Sequence, residues 1–185
     1  MKANRTITII AMLLIVMWIG RIYGINTANS SEIRYRIGET IDCGDIMIQP
    51  IKSGLVNTSD FCSDNNINLE VIEDHKDSYI IFVRFKITNK SNSNISKSQV
   101  VDFVNVGFES DIWGSAPDPL LTSLLNDSVH EMIAPEESFD LCLATEINAS
   151  LFKSEHFKMI DSYKYCYILR QYPNKIGIEL DVSGF

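Results

Sequence analysis

The chain predicts an all-β fold, an antiparallel two-layered sandwich of about seven to nine short strands with one or two short helices. Three observations predict it. Apolar residues recur at every second position in several short runs, and clusters of Asn, Ser, Gly and Pro separate those runs. The 185 residues, 45% of them hydrophobic, suit one ordinary core plus a short accessory segment.

The N-terminal stretch "MKANRTITIIAMLLIVMWIGRIYG" places Lys2 and Arg5 before an uncharged apolar run from Ile7 to Gly20, the pattern of an export signal. That run reaches about 21 Å of a hydrocarbon layer about 30 Å thick. Arg21 can snorkel and let Ile22 to Ile25 extend it. "ANSS" (Ala28 to Ser31) offers a passable cleavage site without a clean A-x-A. Residues 1–25 therefore read as a signal peptide or as a signal anchor with its N-terminus inside. Both place the remainder of the chain on the extracellular face of the membrane or in the medium. Residues 26–36 read as a polar linker and residues 37–185 as the sandwich domain.

Within the domain, Thr40 to Cys43 and Ile46 to Ile51 read as strands, followed by Leu69 to Ile72. In Ile80 to Thr88 the residues Ile81, Val83, Phe85 and Ile87 form one continuous apolar face. The other face changes from Ile80 and Phe82 to Arg84, Lys86 and Thr88, so it emerges into solvent. "NKSNSN" ends this strand with turn residues. Val100 to Phe108 and His130 to Ile133 are further strand candidates, and Phe139, Leu141 and Leu143 alternate with Asp140 and Cys142. Tyr163, Tyr165, Tyr167 and Leu169 alternate likewise, as do Ile176, Ile178, Leu180 and Val182. Between them, Leu120, Leu121, Leu124 and Leu125 stand at helical spacing behind a cap at Asp118 and Pro119 in the first turn. Ile147 to Phe157 suggests another turn of helix.

Cys43, Cys62, Cys142 and Cys166 make an even number in an exported chain, which favours disulfides. Three pairings are open, and the nearest-neighbour loops, Cys43 with Cys62 and Cys142 with Cys166, are the expected one. Each would contribute about 3 kcal/mol through loop entropy. Asn57, Asn89, Asn94, Asn126 and Asn148 each open an N-x-[ST] sequon, read as a by-product of an Asn-rich composition.

The order of "IGETIDCGDIMIQPIKSG", "DSYIIFVRFKITNKSNSNI" and "MIAPEESFDLCLATEI" resembles the telokin-like, immunoglobulin-fold extracellular domains of Gram-positive bacteria, which are secreted or membrane-anchored. "YILRQYPNKIGIEL" is similar to the ending of related uncharacterised Firmicutes proteins. The resemblance covers Ile37 to Val182 and implies an immunoglobulin-like sandwich, with no catalytic residues and no cofactor. Where that family often has Pro-Gly-Glu, this chain has Pro135-Glu136-Glu137, so the turn lacks glycine's freedom.

Chemistry-bearing motifs are sparse. His75, His130 and His156 form no H-E-x-x-H, and there is no G-x-S-x-G or C-x-x-C, so the chain is read as noncatalytic. Glu73, Asp74 and Asp77 in one loop are the calcium candidates, with Asp60, Asp64, Asn65 and Asn66 as a second oxygen-rich group, and neither matches an EF-hand. Trp113, in "ESDIWGSAPDP", is the aromatic best placed in a loop for partner binding, within a set including Phe108, Tyr163, Tyr165, Tyr167 and Tyr172. Asp and Glu total 24 against 16 Lys and Arg, and Lys2, Arg5 and Arg21 lie in the leader, so the body repels phosphate and nucleic acid is excluded as a partner. The expected function is a noncatalytic extracellular module that binds a protein or cell-envelope partner and meets the membrane through its N-terminal helix. The alternative is an ion or small-molecule sensor associated with an envelope transporter.

Overall fold

The structure, a computed structural model, describes residues 12–21, 32–72, 78–126, 131–171 and 174–182. Two sheets face each other. One runs β2 (Ile41–Asp42), β3 (Ile46–Asn57), β4 (Ser78–Asn89), β9 (Ser138–Asn148); the other runs β1 (Glu32–Arg36), β11 (Lys175–Glu179), β10 (Cys166–Arg170), β6 (Gly107–Glu109), β7 (Gly114–Ser115). A small ladder of β5 (Ile95–Ser96) and β8 (Met132–Ile133) adds Ile133 to the same core.

Alternation builds that core. Ile81, Val83, Phe85 and Ile87 of β4 and Leu141 and Leu143 of β9 point across to Phe108, Tyr167, Leu169, Ile176 and Ile178 of the opposite sheet. Tyr167 sits at the centre with its ring edge-on to Phe85 and Phe108, and its hydroxyl donates to the Val104 carbonyl oxygen. That bond lets a phenol occupy an apolar interior.

The other face of the four-stranded sheet is covered as well. Ile80, Phe82, Cys142 and Ala144 pack under Phe61 and Cys62 of α2 (Thr58–Asp64), Ile72, and Leu121 of α4 (Pro119–Leu125). The cover ends there, so Arg84 and Lys86, next along the same face, are exposed. The change from apolar to charged residues along this strand is the margin of a helical layer. Both helices are capped by side chains: Asn57 Oδ1 accepts from Ser59 N at 3.0 Å, and at the expected start of α4 Asp118 Oδ1 accepts from Leu120 N and Leu121 N with Pro119 in the first turn.

Several expectations are corrected. The fold is mostly β but not purely antiparallel, since β1 pairs with β11 in parallel, and it has more helix than expected. Residues 69–71 form a 3₁₀ turn, and Val100 to Phe108 divides into α3 (Lys97–Val104) and β6, because Val100 and Val104, one helical turn apart, both bury in the main core. The linker read from residues 26–36 overlaps β1, whose strand begins at Glu32. β3 continues past Ile51 through a bulge, where the partner register shifts between Pro50 and Lys52. Ile147 is the penultimate residue of strand β9, and the helix expected from it onward is a 3₁₀ turn (Ala149–Leu151) and the short α5 (Ser154–Phe157).

The expected N-terminal signal or transmembrane helix is described only as α1, residues 12–21, whose apolar side chains from Met12 to Ile19 are exposed. Among the described residues no helix is long and apolar enough to cross a membrane. All four cysteines are free, so neither expected disulfide is formed. The layers explain it. Cys142 lies under the helices while Cys166 is on the opposite sheet, and Cys43 packs against the inter-sheet core while Cys62 lies under the helices, so a sheet separates the members of each expected pair.

Ala134 to Glu137 forms a turn closed by Glu137 N donating to Ala134 O at 3.1 Å, with Pro135 second and Glu136 third at φ 64°. This is the geometry in which the third position favours glycine. Glu136 adopts it without that freedom.

Candidate functional site

Among the described residues, no helical layer lies over the outer face of the five-stranded sheet. Register defines its composition. Arg36, Glu179, Cys166 and Glu109 lie in one row across β1, β11, β10 and β6, and Arg34, Gly177, Ile168 and Gly107 form the next. The two glycines keep the middle row low, and a Cβ on Gly177 would stand 2.6 Å from Cys166 Sγ. The thiol therefore occupies the space that Gly177 leaves open.

Ion pairs stitch this face. Lys175 Nζ contacts Glu109 Oε1 and lies 3.7 Å from Glu32 Oε1, which in turn pairs with Arg34 Nη2 at 3.1 Å; Arg36 Nε lies 3.7 Å from Glu179. Burial works against the Lys175 charge, but the hydrogen bond to Glu109 and the fields of Glu109 and Glu32 outweigh it, so its pKa is raised. The hydrogen bond from Arg34 to Glu32 likewise raises the arginine's pKa against a small desolvation effect. Neither cation is a proton donor at neutral pH.

Beside these pairs lies a cavity of about 380 Å³ whose rim carries the carboxylates of Glu109, Asp111, Glu179 and Asp181. Tyr163 lines it and is held by its hydroxyl against His156 Nδ1 at 3.1 Å. Cys166 stands in its wall, and burial pushes the thiol up to about 11. Protonated at neutral pH, it is a poor nucleophile. Burial likewise pushes Cys142 up to about 11, and raises Cys43 and Cys62. Arg34 and Lys164 line the cavity too, so it offers charges of both signs together with hydrogen-bonding groups.

Of the sequence-predicted residues, Tyr163, Tyr165 and Cys166 line this cavity, and the others fall elsewhere. Trp113 lies in the turn between β6 and β7, where Ser110 N donates to its carbonyl oxygen at 2.7 Å, and its half-buried ring packs on the main core. Phe108, Tyr165 and Tyr167 are core residues; Tyr165 donates to Ile160 O at 2.7 Å. The calcium candidates Glu73, Asp74 and Asp77, with His75, His130 and Tyr172, lie outside the described residues. Asn65 instead caps α2 and accepts from Arg84 Nη2 at 2.9 Å, and among the described residues no group of three or more His, Cys, Asp or Glu side chains could hold a metal ion. Glu32, Arg34 and Glu109 are residues of this face that sequence reasoning misses. The alternation of "EIRYRI" is the available signal for the first two.

Three sequon asparagines use their side chains to build turns. Asn57, Asn89 and Asn148 each accept from the backbone N–H two residues on. Asn89 also donates to Ser93 O and Ile133 O. Asn126 is buried against β9, donating to Thr122 O and Cys142 O and accepting from Cys142 N, each at 2.7 Å.

No family model matches the chain, and no curated protein matches it in sequence. Among solved structures, it is similar to an uncharacterised β-sandwich protein from Clostridium difficile, at 13% identity and TM-score 0.54, covering 82% of this chain and 96% of that one. It is also similar to a conserved hypothetical protein from Bacillus anthracis (13% identity, TM-score 0.44, 71% and 87% covered) and to the yjhA protein of Bacillus subtilis (13%, 0.43, 80% and 99%). The likeness to the Clostridium protein shows that this chain shares a β-sandwich fold.

Proposed function

We propose that the chain is a noncatalytic, immunoglobulin-like module of the telokin-like kind, held at the outer face of the membrane or secreted, which binds a protein or cell-envelope partner through the outer face of its five-stranded sheet. One observation carries this reading: that face, free of a helical cover among the described residues, holds a cavity of about 380 Å³ rimmed by four carboxylates beside a thiol kept protonated by burial. Such a site suits recognition, since Glu109 and Glu179 are held by ion pairs with Lys175 and Arg36 and its thiol is unactivated. The leader pattern of residues 1–25 and the exposed apolar side chains of α1 support a membrane-directed N-terminus.

The test places a photo-crosslinking amino acid at Asp111 or Asp181, on the cavity rim, or at Lys86, on the opposite sheet, in whole cells. A discrete adduct from the rim positions only, removed by protease added outside the cells, supports the reading. Equal labelling from Lys86, or a domain protected from external protease, overturns it.

A further inference from the structure

We propose that two copies of this chain associate through β1, joining their five-stranded sheets edge to edge in antiparallel register about Ile33. The inference begins from the sheet edges. β2 and β7 are two residues long, too short to template a strand. β9 is clasped: Asp118 N donates to Ala144 O at 2.8 Å, and the Asn126 amide takes both the N–H and the C=O of Cys142. β1, five residues long, ends the sheet order, and no described strand pairs with its outer side. Three of the four edges of the two main sheets are therefore blunted, as proteins do to prevent strand addition, while among the described residues one is left open.

The backbone fixes which groups that edge presents. Arg36 N donates to Glu39 Oε2 at 2.8 Å, and Arg36 O accepts from Glu39 N at 3.1 Å, so both groups of Arg36 point away from β11. Because a strand residue sends its N–H and C=O to the same side and its neighbours send theirs to the other, Glu32 and Arg34 also face outward while Ile33 and Tyr35 bond β11. Glu39 closes the ladder at Arg36. Among the described residues, what is left is the N–H and C=O pairs of Glu32 and Arg34.

These pairs are self-complementary. In antiparallel register about Ile33, Glu32 of one copy meets Arg34 of the partner subunit in a hydrogen-bonded pair, and Arg34 meets the partner's Glu32, so each direct neighbour carries the opposite charge. A parallel or shifted arrangement would set like charges together or leave the outward groups unmatched. Ile33, which is 41% exposed in the single chain, meets the partner's Ile33 in the closer, non-hydrogen-bonded position, about 4.5 Å between Cα atoms. The arrangement has two-fold symmetry, so it closes as a dimer and does not propagate.

The test uses the full chain purified in detergent. Ile33→Cys is treated with a copper(II) oxidant, each pair of thiols losing two protons to water and two electrons to two copper(II) ions, reduced to copper(I), as the S–S bond forms. A covalent dimer is expected from Ile33→Cys and not from Asp111→Cys or the unaltered chain. Arg34→Pro removes an outward N–H that the monomer does not use, as proline on a sheet edge permits. Light scattering should show this variant as a monomer with its melting temperature within a few degrees of the parent's, where the parent is a dimer. A monomeric parent, equal cross-linking of Ile33→Cys and Asp111→Cys, or a dimer that persists in Arg34→Pro each overturns the proposal; the last would assign association to α1 instead.

Discussion

Gly177→Ala tests the packing that shapes the candidate site. The added Cβ would lie 2.6 Å from Cys166 Sγ, about 1 Å inside the ~3.5–4.0 Å at which non-bonded heavy atoms rest. Cys166 is buried in a central strand, so its sulfur cannot simply turn into solvent. Overpacking of this kind costs about 1–3 kcal/mol, partly offset by the ~0.5–1 kcal/mol that alanine gains over glycine in an extended strand. The expected net loss is about 1–2 kcal/mol, or a fall of about 2–8 °C in melting temperature for a domain of this size. Cys166→Ala deletes the atom that is struck and by itself costs about 1 kcal/mol of buried contact. The double variant should then melt well above the sum of the two single losses, with a coupling of about 1–3 kcal/mol. Thermal melts of the four proteins at neutral pH, where burial keeps the thiol uncharged, provide the measurement. Single effects that add to within about 0.5 kcal/mol would refute the contact.

Two named sets of bonds give two further expected outcomes. Asn126→Ala leaves the Cys142 N–H and C=O and the Thr122 C=O without the partner they have, and the expected loss is about 2–4 kcal/mol by urea denaturation, together with a rise in aggregation as the β9 edge opens; unchanged stability would show that the clasp is idle. Glu136→Gly releases a left-handed conformation that costs an L-residue about 1–2 kcal/mol and should raise stability by about 0.5–1 kcal/mol net of glycine's entropy; a lower urea midpoint would contradict it.

The strands that the sequence discloses are those whose two faces meet different surroundings. β4, β9 and β11 alternate cleanly because one face is the inter-sheet core. β3 is legible only as far as Ile51, because the bulge there moves the inward set from Ile46, Ile48 and Pro50 to Ser53 and Leu55, and a period-two pattern cannot survive such a change of parity. β1 reads as part of the tether because an edge strand exposes most of both faces, and its partner β11 lies at the far end of the chain. Val100 to Phe108 misleads through its β-branched residues, where burial one helical turn apart overrides strand propensity. Beyond the alternation around Arg34, the candidate site is not legible. It depends on register across β6, β10 and β11, which sets Cys166 over Gly177, and no local pattern encodes that meeting.

The asparagine turns bear on how this protein can be produced. A eukaryotic secretory host attaches sugar to the amide nitrogen of an N-x-[ST] asparagine on the emerging chain, before folding. At Asn89 and Asn126 that nitrogen belongs inside the finished molecule, bonded to main-chain oxygens that no glycan-bearing amide could reach without displacing its surroundings. A yeast or mammalian preparation would thus trap a misfolded glycoprotein, whereas a bacterial periplasm, or Ser91→Ala with Ser128→Ala to erase both acceptor signals, would avoid it.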